Sequence, residues 1–422
     1  MRSFQEIAER VRSGRAVVMT AQEVCCLLDG RELEEVDIVT TATRAVMSGT
    51  YAVLSFPVGR PGSFTRAARA WLNGVPAHVG PCPNERLGML DLMVFGTDHS
   101  RSQPGYGGGH LLRELVEGRA ALLEMEAEDG RVVTEDISLE EMPFARLFGT
   151  RHAFMNYSAF VNGGGLPVST IFHACRFQPG LSCATFSGCG QISPLKCDPL
   201  LETIGVGTRV LLNGAEGFVI GTGTRSSPER PNLAVFGDMH RMDPEYMGGF
   251  RTSAGPECIS SLAVPIPVVS RRVLSEIARR DREIPLPVMD VSTRSGIGSA
   301  DYGDVWDGAE IEVTFEEDLC SGCASCRAEE VCPMQAVHFD GQRAERDEAL
   351  CFHCGLCSVK CPSGAFRCEM GSLHVETASG RLLIPVVLRQ SDRLRALRLA
   401  EDLKERILDG SFEVTQPVER IS

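Results

Sequence analysis

Two runs of cysteines constrain this chain more than any other feature of its sequence. Cys320, Cys323 and Cys326 are followed by Cys332 and a proline. The same Cys-x2-Cys-x2-Cys spacing recurs 31 residues later, beginning at Cys351, and again a Cys-Pro follows. Thiolates separated by two residues can wrap one corner of a four-iron cluster. The pattern therefore predicts iron–sulfur chemistry in this part of the chain.

The cysteine before each proline predicts how the two runs share ligands. In bacterial ferredoxins with two clusters, this cysteine binds the cluster of the other run. The repeat thus predicts an inserted two-cluster (2[4Fe–4S]) bacterial-type ferredoxin domain over residues 315–370. Two zinc sites are the alternative, but zinc ribbons carry Cys-x2-Cys pairs rather than triplets followed by Cys-Pro. The predicted ligands are Cys320, Cys323, Cys326 and Cys361 for the first [4Fe–4S] cluster, and Cys351, Cys354, Cys357 and Cys332 for the second.

Residues 1–314 alternate helical stretches with β-branched runs, which predicts a mixed α/β large domain. Asn213-Gly214 predicts a hairpin, because this pair suits the positive φ of such turns. Residues 221–256 are rich in Gly, Pro, Ser and Arg and predict a long loop over the surface or over a site. Residues 371–422 predict a strand and a helix that pack back on the first domain. Helices are expected at 4–11, 22–28 and 110–117, and strands at 17–19, 36–40, 52–56 and 259–264.

Charge and composition exclude several classes of function. The formal net charge of −14 repels DNA and RNA, so nucleic acid is not an expected partner. The 43% hydrophobic content is that of a globular protein without membrane spans. The N-terminal stretch carries Glu6 and Glu9 and lacks the apolar core of a signal peptide, which predicts a cytoplasmic protein. In a reducing compartment, 17 cysteines favour metal or redox chemistry over disulfides.

Six stretches outside the cysteine runs resemble a known family. They are VDIVTTATRAVMSGT, LNGVPAHVGPCPNE, PGYGGGHLLRELVEG, MNYSAFVNG, ISPLKCDPLLETIGVGTRVLLNGAEG and RALRLAEDLKERILDGSFEVTQPV. In this order they resemble the homocysteine-biosynthesis family of methanogens and some anaerobic bacteria, which includes aspartate semialdehyde sulfurtransferases. The ferredoxin-like block makes the chain most similar to the methanogenesis marker 16 type of metalloprotein. The resemblance covers most of residues 1–314 and the tail.

The resemblance implies sulfur transfer onto a small aldehyde, with ferredoxin clusters supplying the electrons that reduce a bound sulfur species. Members that act in homocysteine synthesis carry a cysteine where this chain has Ser48, and another in the stretch matching residues 129–135. Both cysteines are absent here. Because serine cannot hold a persulfide, the family reaction does not transfer directly to this chain.

Cys82 is the first candidate to replace the missing thiols. It lies between two prolines, which predicts a rigid turn that could present an exposed thiol as a nucleophile, persulfide carrier or ligand. His78, four residues earlier, could assist its ionisation. The alternative is that Cys82 is a small buried packing residue.

A glycine-rich loop before a helix is the candidate substrate-binding element. Gly107, Gly108 and Gly109 lead into His110, and unpaired N–H groups at a helix start favour a carboxylate or phosphate. We expect Cys82 and this loop to face one pocket. His110 would have a lowered pKa there and could act as a neutral acid–base group. The alternative roles are a tight turn for the loop and capping or packing for His110.

Four further thiols, Cys175, Cys183, Cys189 and Cys197, either form an extra metal or redox site or are scattered packing residues. Their spacing matches no common zinc or cluster motif.

Two functions remain open. The first is an enzyme for reductive sulfur transfer, or related redox chemistry, on a small carbonyl or carboxylate substrate. The second is a non-enzymatic electron-transfer or maturation factor for a methanogenesis enzyme or cofactor. Either function requires a redox partner protein, and the first also requires a small-molecule substrate.

Overall fold

The computed structural model describes residues 1–27, 33–155, 157–377 and 380–421. Its helices are α1 (Phe4–Arg12), α2 (Ala21–Cys26), α3 (Gly108–Val116), α4 (Pro194–Cys197), α5 (Arg271–Ile277), α6 (Gly303–Trp306), α7 (Arg327–Val331), α8 (Leu356–Lys360) and α9 (Arg393–Leu408). Its strands are β1 (Val18–Thr20), β2 (Ile38–Val46), β3 (Thr50–Pro57), β4 (Ala67–Leu72), β5 (Val75–Val79), β6 (Met89–Phe95), β7 (Ala121–Ala127), β8 (Val132–Ile137), β9 (Phe144–Phe154), β10 (Ala159–Val161), β11 (Ala184–Phe186), β12 (Gly205–Val206), β13 (Arg209–Leu212), β14 (Ala215–Thr222), β15 (Asn232–Asp238), β16 (Gly248–Thr252), β17 (Gly255–Pro267), β18 (Pro285–Asp290), β19 (Gly296–Asp301), β20 (Thr314–Phe315), β21 (Val337–Phe339), β22 (Ala344–Arg346), β23 (Phe366–Arg367), β24 (Ser372–Thr377), β25 (Gly380–Arg389) and β26 (Glu419–Arg420).

Within the described residues, one sheet of 14 strands forms the body of the large domain, in the order β1-β2-β17-β13-β14-β15-β9-β3-β6-β5-β4-β7-β8, with β16 beside β17. Strands β2 and β17 run antiparallel from Ile38 opposite Pro267 to Val46 opposite Ile259. Both are buried along nearly their whole length. Helix α9 covers them with Leu399 and Leu403, which are fully buried.

A six-stranded barrel, β10-β11-β25-β24-β19-β18, stands beside the large sheet. Strands β18 and β19 precede the cysteine-rich block in the chain, whereas β24 and β25 follow it. The barrel therefore closes only when the tail returns to the first domain. The short strands β20 and β23 pair antiparallel at the two ends of the block. Across the boundary, the rings of Phe250 and Phe352 lie 5.3 Å apart in an edge-to-face contact.

The mixed α/β class is confirmed, and so is the Asn213-Gly214 hairpin, which joins β13 to β14 with Asn213 at a φ of 48°. The predicted loop over residues 221–256 is wrong in part, because β15 and β16 lie inside it. Leu233 and Val235 of β15 are fully buried between β14 and β9, and this burial outweighs the Gly and Pro content of the segment. The predicted helix 22–28 corresponds to α2, and Leu28 lies outside the described residues.

Among the helices of the described ranges, none combines the length and the apolar character needed to cross a lipid bilayer.

Candidate functional site

The eight predicted cluster cysteines form two groups in the structure, and each group takes its fourth thiol from the other run. Cys320, Cys323, Cys326 and Cys361 line one small cavity beside α7 and β22. These four thiols are half-buried. The Ala344 N–H donates to the Cys320 sulfur over 3.5 Å. Such N–H···S bonds stabilise thiolates that bind iron.

The second group, Cys332, Cys351, Cys354 and Cys357, is buried in an apolar cluster with Phe352 and Leu388. Burial and the nearby thiols of Cys351 and Cys332 raise the pKa of Cys357. The Ala336 N–H donates to the Cys332 sulfur over 3.3 Å. Each group offers four soft sulfur donors and an N–H donor, which is the donor chemistry of an iron–sulfur centre. Among the described residues, no three His, Cys, Asp or Glu side chains are arranged so that they could hold a single metal ion. We call these groups the outer and the inner cysteine group.

A cavity of about 570 Å³ lies between the large sheet and the barrel. Segments far apart in sequence build it, including the β2–β3 turn, the β14–β15 loop and the residue after β25. We call it the arginine cavity because four arginines reach it. Its lining residues are Val46, Ser48, Gly49, Arg151, Ser158, Phe160, Ile171, Phe172, Ser187, Thr224, Arg225, Arg230, Met289, Arg294 and Gln390.

The electrostatics of the arginine cavity are strongly positive. Burial lowers the pKa of Arg151, and the nearby positive charge of Arg225 lowers it further. The pKa of Arg294 is lowered for the same two reasons. The Arg294 guanidinium stacks over Phe172, 4.2 Å from the ring centroid, which holds it at the cavity wall. Neighbouring positive charges lower one another's pKa, and a bound anion would stabilise the protonated form of these arginines.

Ser48, the position where family members carry a cysteine, lines this cavity. Ser48 neighbours Glu257 of β17, whose buried Oε2 has no hydrogen-bond partner among the described residues. Burial raises the pKa of Glu257, and the nearby Ser48 side chain only partly offsets this effect. The second family position falls in the β7–β8 hairpin at the far edge of the sheet, away from the cavity. The structure therefore assigns one of the two family positions to the cavity.

The arginine cavity and the inner cysteine group share a wall. The N–H of Arg389 donates to the carbonyl oxygen of Cys354 over 2.9 Å, and the next residue, Gln390, lines the cavity. Val46 also lines the cavity and packs against the apolar cluster that holds the inner group. The N–H of Val46 donates to the Gln390 carbonyl over 3.1 Å. One hydrogen bond and one peptide unit thus connect Cys354 of the inner cysteine group to the cavity wall.

Cys82 does not share a pocket with the glycine loop, which corrects the predicted site. Cys82 is exposed in the turn between β5 and β6, near Asp91. The glycine loop begins beyond Phe95, at the other end of β6. The β-hairpin separates the two because its turn and its open end point in opposite directions. His78 lies with the loop instead, with its Nε2 3.0 Å from Asp98 Oδ2.

The glycine loop packs α3 against the sheet rather than exposing N–H groups for an anion. The N–H of Gly107 donates to His110 Nδ1, that of Gly108 to the Asp98 carbonyl, and that of Gly109 to the Gly96 carbonyl. A Cβ on Gly108 would lie 2.0 Å from the Phe95 carbonyl oxygen. Burial lowers the pKa of His110 to about 4, so its ring is neutral and caps the loop. The N–H groups of this loop are therefore engaged within the protein and are not free to bind an anion.

The thiols of residues 175–197 are not gathered into one site. Cys175 packs beside the inner cysteine group, Cys183 lies in a separate cluster with Phe177, and Cys189 and Cys197 belong to the core beneath α9. Burial raises the pKa of Cys189 to about 11, as expected for a packed neutral thiol.

Sequence reasoning missed the four arginines as a site, although two of them lie in the segment expected to form a loop over a site. Arg225 and Arg230 belong to the β14–β15 loop, Arg151 to β9 and Arg294 to the β18–β19 turn. Their distances in sequence carry no motif, and only the barrel brings them together.

The fold and the site define a mixed α/β protein with an inserted cysteine-rich block beside a cationic cavity. The sequence profile of a family described as homocysteine biosynthesis enzyme, sulfur-incorporation, matches residues 16–414. The chain belongs to this family, which confirms the resemblance drawn from the six sequence stretches.

Individual relatives agree with this assignment. An uncharacterized protein of Methanothermobacter thermautotrophicus is 46% identical over 415 residues, which are 97% of this chain and 94% of that protein. An L-aspartate semialdehyde sulfurtransferase of Methanocaldococcus jannaschii is 30% identical over 312 residues, 69% of this chain and 58% of that protein. An uncharacterized ferredoxin of the same organism is 39% identical over 51 residues, 12% of this chain and 31% of that ferredoxin. The chain thus contains a ferredoxin-like region. No solved structure matches the chain significantly.

Proposed function

We propose that this protein is an iron–sulfur enzyme that inserts sulfur reductively into a small carbonyl compound bound in the arginine cavity. Two [4Fe–4S] clusters, held by the outer and inner cysteine groups, supply the electrons. The observation that carries the proposal is the hydrogen bond from the Arg389 N–H to Cys354, one residue before Gln390 in the cavity wall.

The reaction balances with hydrogen sulfide as the sulfur donor. One aldehyde and one hydrogen sulfide, with two electrons and two protons, give one primary thiol and one water. The carbonyl carbon loses its oxygen to water and gains a C–S bond and one hydrogen. Each [4Fe–4S] cluster exchanges one electron at a time, so two clusters hold the two electrons that one turnover consumes.

The residues around the cavity suit this chemistry. The arginines bind the anionic part of the substrate and exclude competing cations. Glu257, whose pKa is raised by burial, is positioned through Ser48 to deliver a proton toward the departing oxygen. Because Ser48 cannot carry a persulfide, sulfur enters as a free or partner-delivered donor rather than on the chain at this position.

The positions of the two cysteine groups give the electrons a direction. The outer group is half-buried at the surface, whereas the inner group is buried beside the cavity wall. Electrons enter from a redox partner protein that docks over the outer group and leave through the inner group. The Arg327–Glu330 and Arg343–Glu317 ion pairs flank the outer group and offer charges of both signs to such a partner.

The test uses the full chain, purified and reconstituted with iron and sulfide without oxygen. The reduced protein is mixed with sulfide and either L-aspartate semialdehyde or succinic semialdehyde. Cluster reoxidation is followed by visible absorbance and electron paramagnetic resonance, and the thiol by mass spectrometry of the alkylated product. We expect two electrons per thiol formed. Failure of both aldehydes to reoxidise the clusters or yield a thiol would contradict the proposal.

The matched variants are Cys357→Ala, which removes an inner ligand, and Cys323→Ala, which removes an outer one. With chemical reductant, Cys357→Ala is expected to abolish thiol formation, whereas Cys323→Ala slows it while the inner cluster still reoxidises. Equal effects of the two variants would contradict the inward direction of electron flow.

A second candidate function is a maturation or electron-transfer factor, which the presence of Ser48 in place of the family cysteine favours. Among the residues that the structure describes, those lining the arginine cavity include no cysteine. Under this alternative, the reduced clusters pass electrons to a protein partner, and small aldehydes leave the clusters reduced.

A further inference from the structure

We propose that the arginine cavity selects a carbonyl compound with an oxyanion head group and without an ammonium group. This inference rests on the proposed function, because it names the substrate class of the same cavity. It is carried by four cationic side chains that converge on a cavity whose described lining residues include no carboxylate.

The cavity arginines differ from the buried arginines of the protein: Arg225, Arg230 and Arg294 are exposed at the cavity, and Arg151 is half-buried. Arg44 is paired with Asp392 at 2.6 Å, and Arg393 with Asp281 at 2.6 Å. Within the described part of the chain, Arg225 and Arg230 form no such ion pair. A cleft lined by positive charges without paired carboxylates attracts a ligand that carries the opposite charge.

The nearest carboxylates are already engaged. Asp290 accepts hydrogen bonds from the N–H groups of Gly163 and Thr293, at 2.8 Å each, and these bonds lower its pKa. Glu257 lies behind Ser48, and burial favours its neutral form. Neither residue lines the cavity, so an ammonium group on the ligand would meet arginines and no counter-ion among the lining residues that the structure describes.

The backbone supports a built site. Arg225 and Arg294 have φ values of 64° and 60°, in the left-handed region that long side chains rarely adopt. Backbone strain of this kind is concentrated at ligand-binding positions. The Arg294 guanidinium is also fixed over Phe160 and Phe172. The Arg294 guanidinium is thus held at the cavity by its two ring contacts, and both Arg225 and Arg294 have an uncommon backbone conformation.

The test compares two ligands that differ only in the amino group. Binding of succinate and L-aspartate to the full, cluster-loaded chain is measured anaerobically by titration calorimetry, with oxidised clusters and without sulfide. We expect succinate to bind at least tenfold more tightly than L-aspartate. Inorganic phosphate and sulfate should each displace succinate, and the stronger competitor identifies the geometry of the head group. Equal or tighter binding of L-aspartate, or failure of both inorganic anions to compete, would overturn the proposal.

Two variants locate the site. Arg225→Gln and Arg294→Gln should each weaken succinate binding at least tenfold, whereas Arg60→Gln, an exposed arginine outside the cavity, should change it less than twofold. The circular dichroism and iron content of each variant establish that it is folded, and Arg225→Lys should recover part of the affinity. Parent-like binding by both glutamine variants would overturn the assignment.

These measurements separate the inference from the proposed function, since they involve no electron transfer. Selective binding of succinate without thiol formation would support the anion site and contradict the proposed enzymatic function. Thiol formation from both semialdehydes at equal rates would support the enzymatic function and contradict the proposed selectivity.

Discussion

The guanidinium of Arg44 and the carboxylate of Asp392 form an ion pair of 2.6 Å that is almost completely excluded from solvent. Arg44 belongs to β2 in the first domain, and Asp392 caps α9 in the tail by accepting from the Arg395 N–H. Arg395 also donates to the Cys351 carbonyl of the cysteine-rich block. One buried network therefore joins the three segments of the chain.

Asp392→Ala should destabilise the protein strongly. It leaves the buried Arg44 unpaired and removes the helix cap, so we expect the free energy of unfolding to fall by about 3–5 kcal/mol in urea titrations. Asp402→Ala is the matched control, because this residue pairs with Arg406 on the half-exposed face of the same helix. The control should cost below about 1 kcal/mol. Similar losses in the two variants would contradict the role of the network.

Cys332→Ala and Cys361→Ala test the crossed ligation of the clusters. The parent chain should hold about eight irons, and each variant about four. Because each cysteine faces the triplet of the other run, Cys332→Ala should remove the inner cluster and Cys361→Ala the outer one. Electron paramagnetic resonance of the reduced variants, together with iron and zinc analysis, distinguishes these outcomes. Loss of the cluster nearest in sequence, or zinc in place of iron, would show that the ligation is wrong.

Gly109→Ala tests the packing role of the glycine loop. The added Cβ would lie 2.6 Å from the Gly248 carbonyl oxygen, so overpacking should cost about 1–3 kcal/mol of unfolding free energy. Gly165→Ala is the control, since no atom lies within 4 Å of its Cβ position. The folded fraction of Gly109→Ala should bind succinate with parent affinity. A selective loss of binding without loss of stability would restore the loop as a substrate site.

Cys82→Ser should leave iron content and thiol formation unchanged, because the Cys82 turn and the arginine cavity belong to different parts of the sheet. Single-turnover thiol yield is the measurement. A loss of at least tenfold in folded, cluster-loaded protein would show that Cys82 carries sulfur to the cavity from another position.

Stability should decrease as the pH falls below about 6.5. Burial lowers the pKa of His152 to about 3 and that of His173 to about 4, so both rings stay neutral in the folded state. The unfolded chain binds protons on both rings near the ordinary histidine pKa, whereas the folded chain binds them only near pH 4 and below. The free energy of unfolding is therefore highest above about pH 6.5 and falls as the pH drops toward 4. Urea midpoints between pH 7 and 4.5 measure the slope. His152→Gln should reduce this slope, and an unchanged slope in that variant would contradict the prediction.

Which parts of this protein could be predicted from sequence depended on how far apart the determining residues lie. The Asn213-Gly214 turn is local and was predicted, because its two residues alone select the backbone conformation. Strand β15 was missed, because its pairing with β9 and β14 depends on residues remote in the chain. The predicted pocket shared by Cys82 and the glycine loop is wrong for the same reason. The two are close in sequence, but the hairpin of β5 and β6 places them at opposite ends of β6.

The sequence by itself determined the family, the mixed α/β class and the ferredoxin-like cysteine runs. These features depend on motif spacing and on the order of similar stretches, both of which can be read directly from the sequence. Tertiary structure alone decided the candidate site. Arg151, Arg225, Arg230 and Arg294 come from separate segments, and they converge because the tail strands close the barrel beside the large sheet. The same closure places Gln390 between the inner cysteine group and the cavity. Long-range strand pairing, which no local pattern encodes, is the physical reason that cations and thiols share one wall.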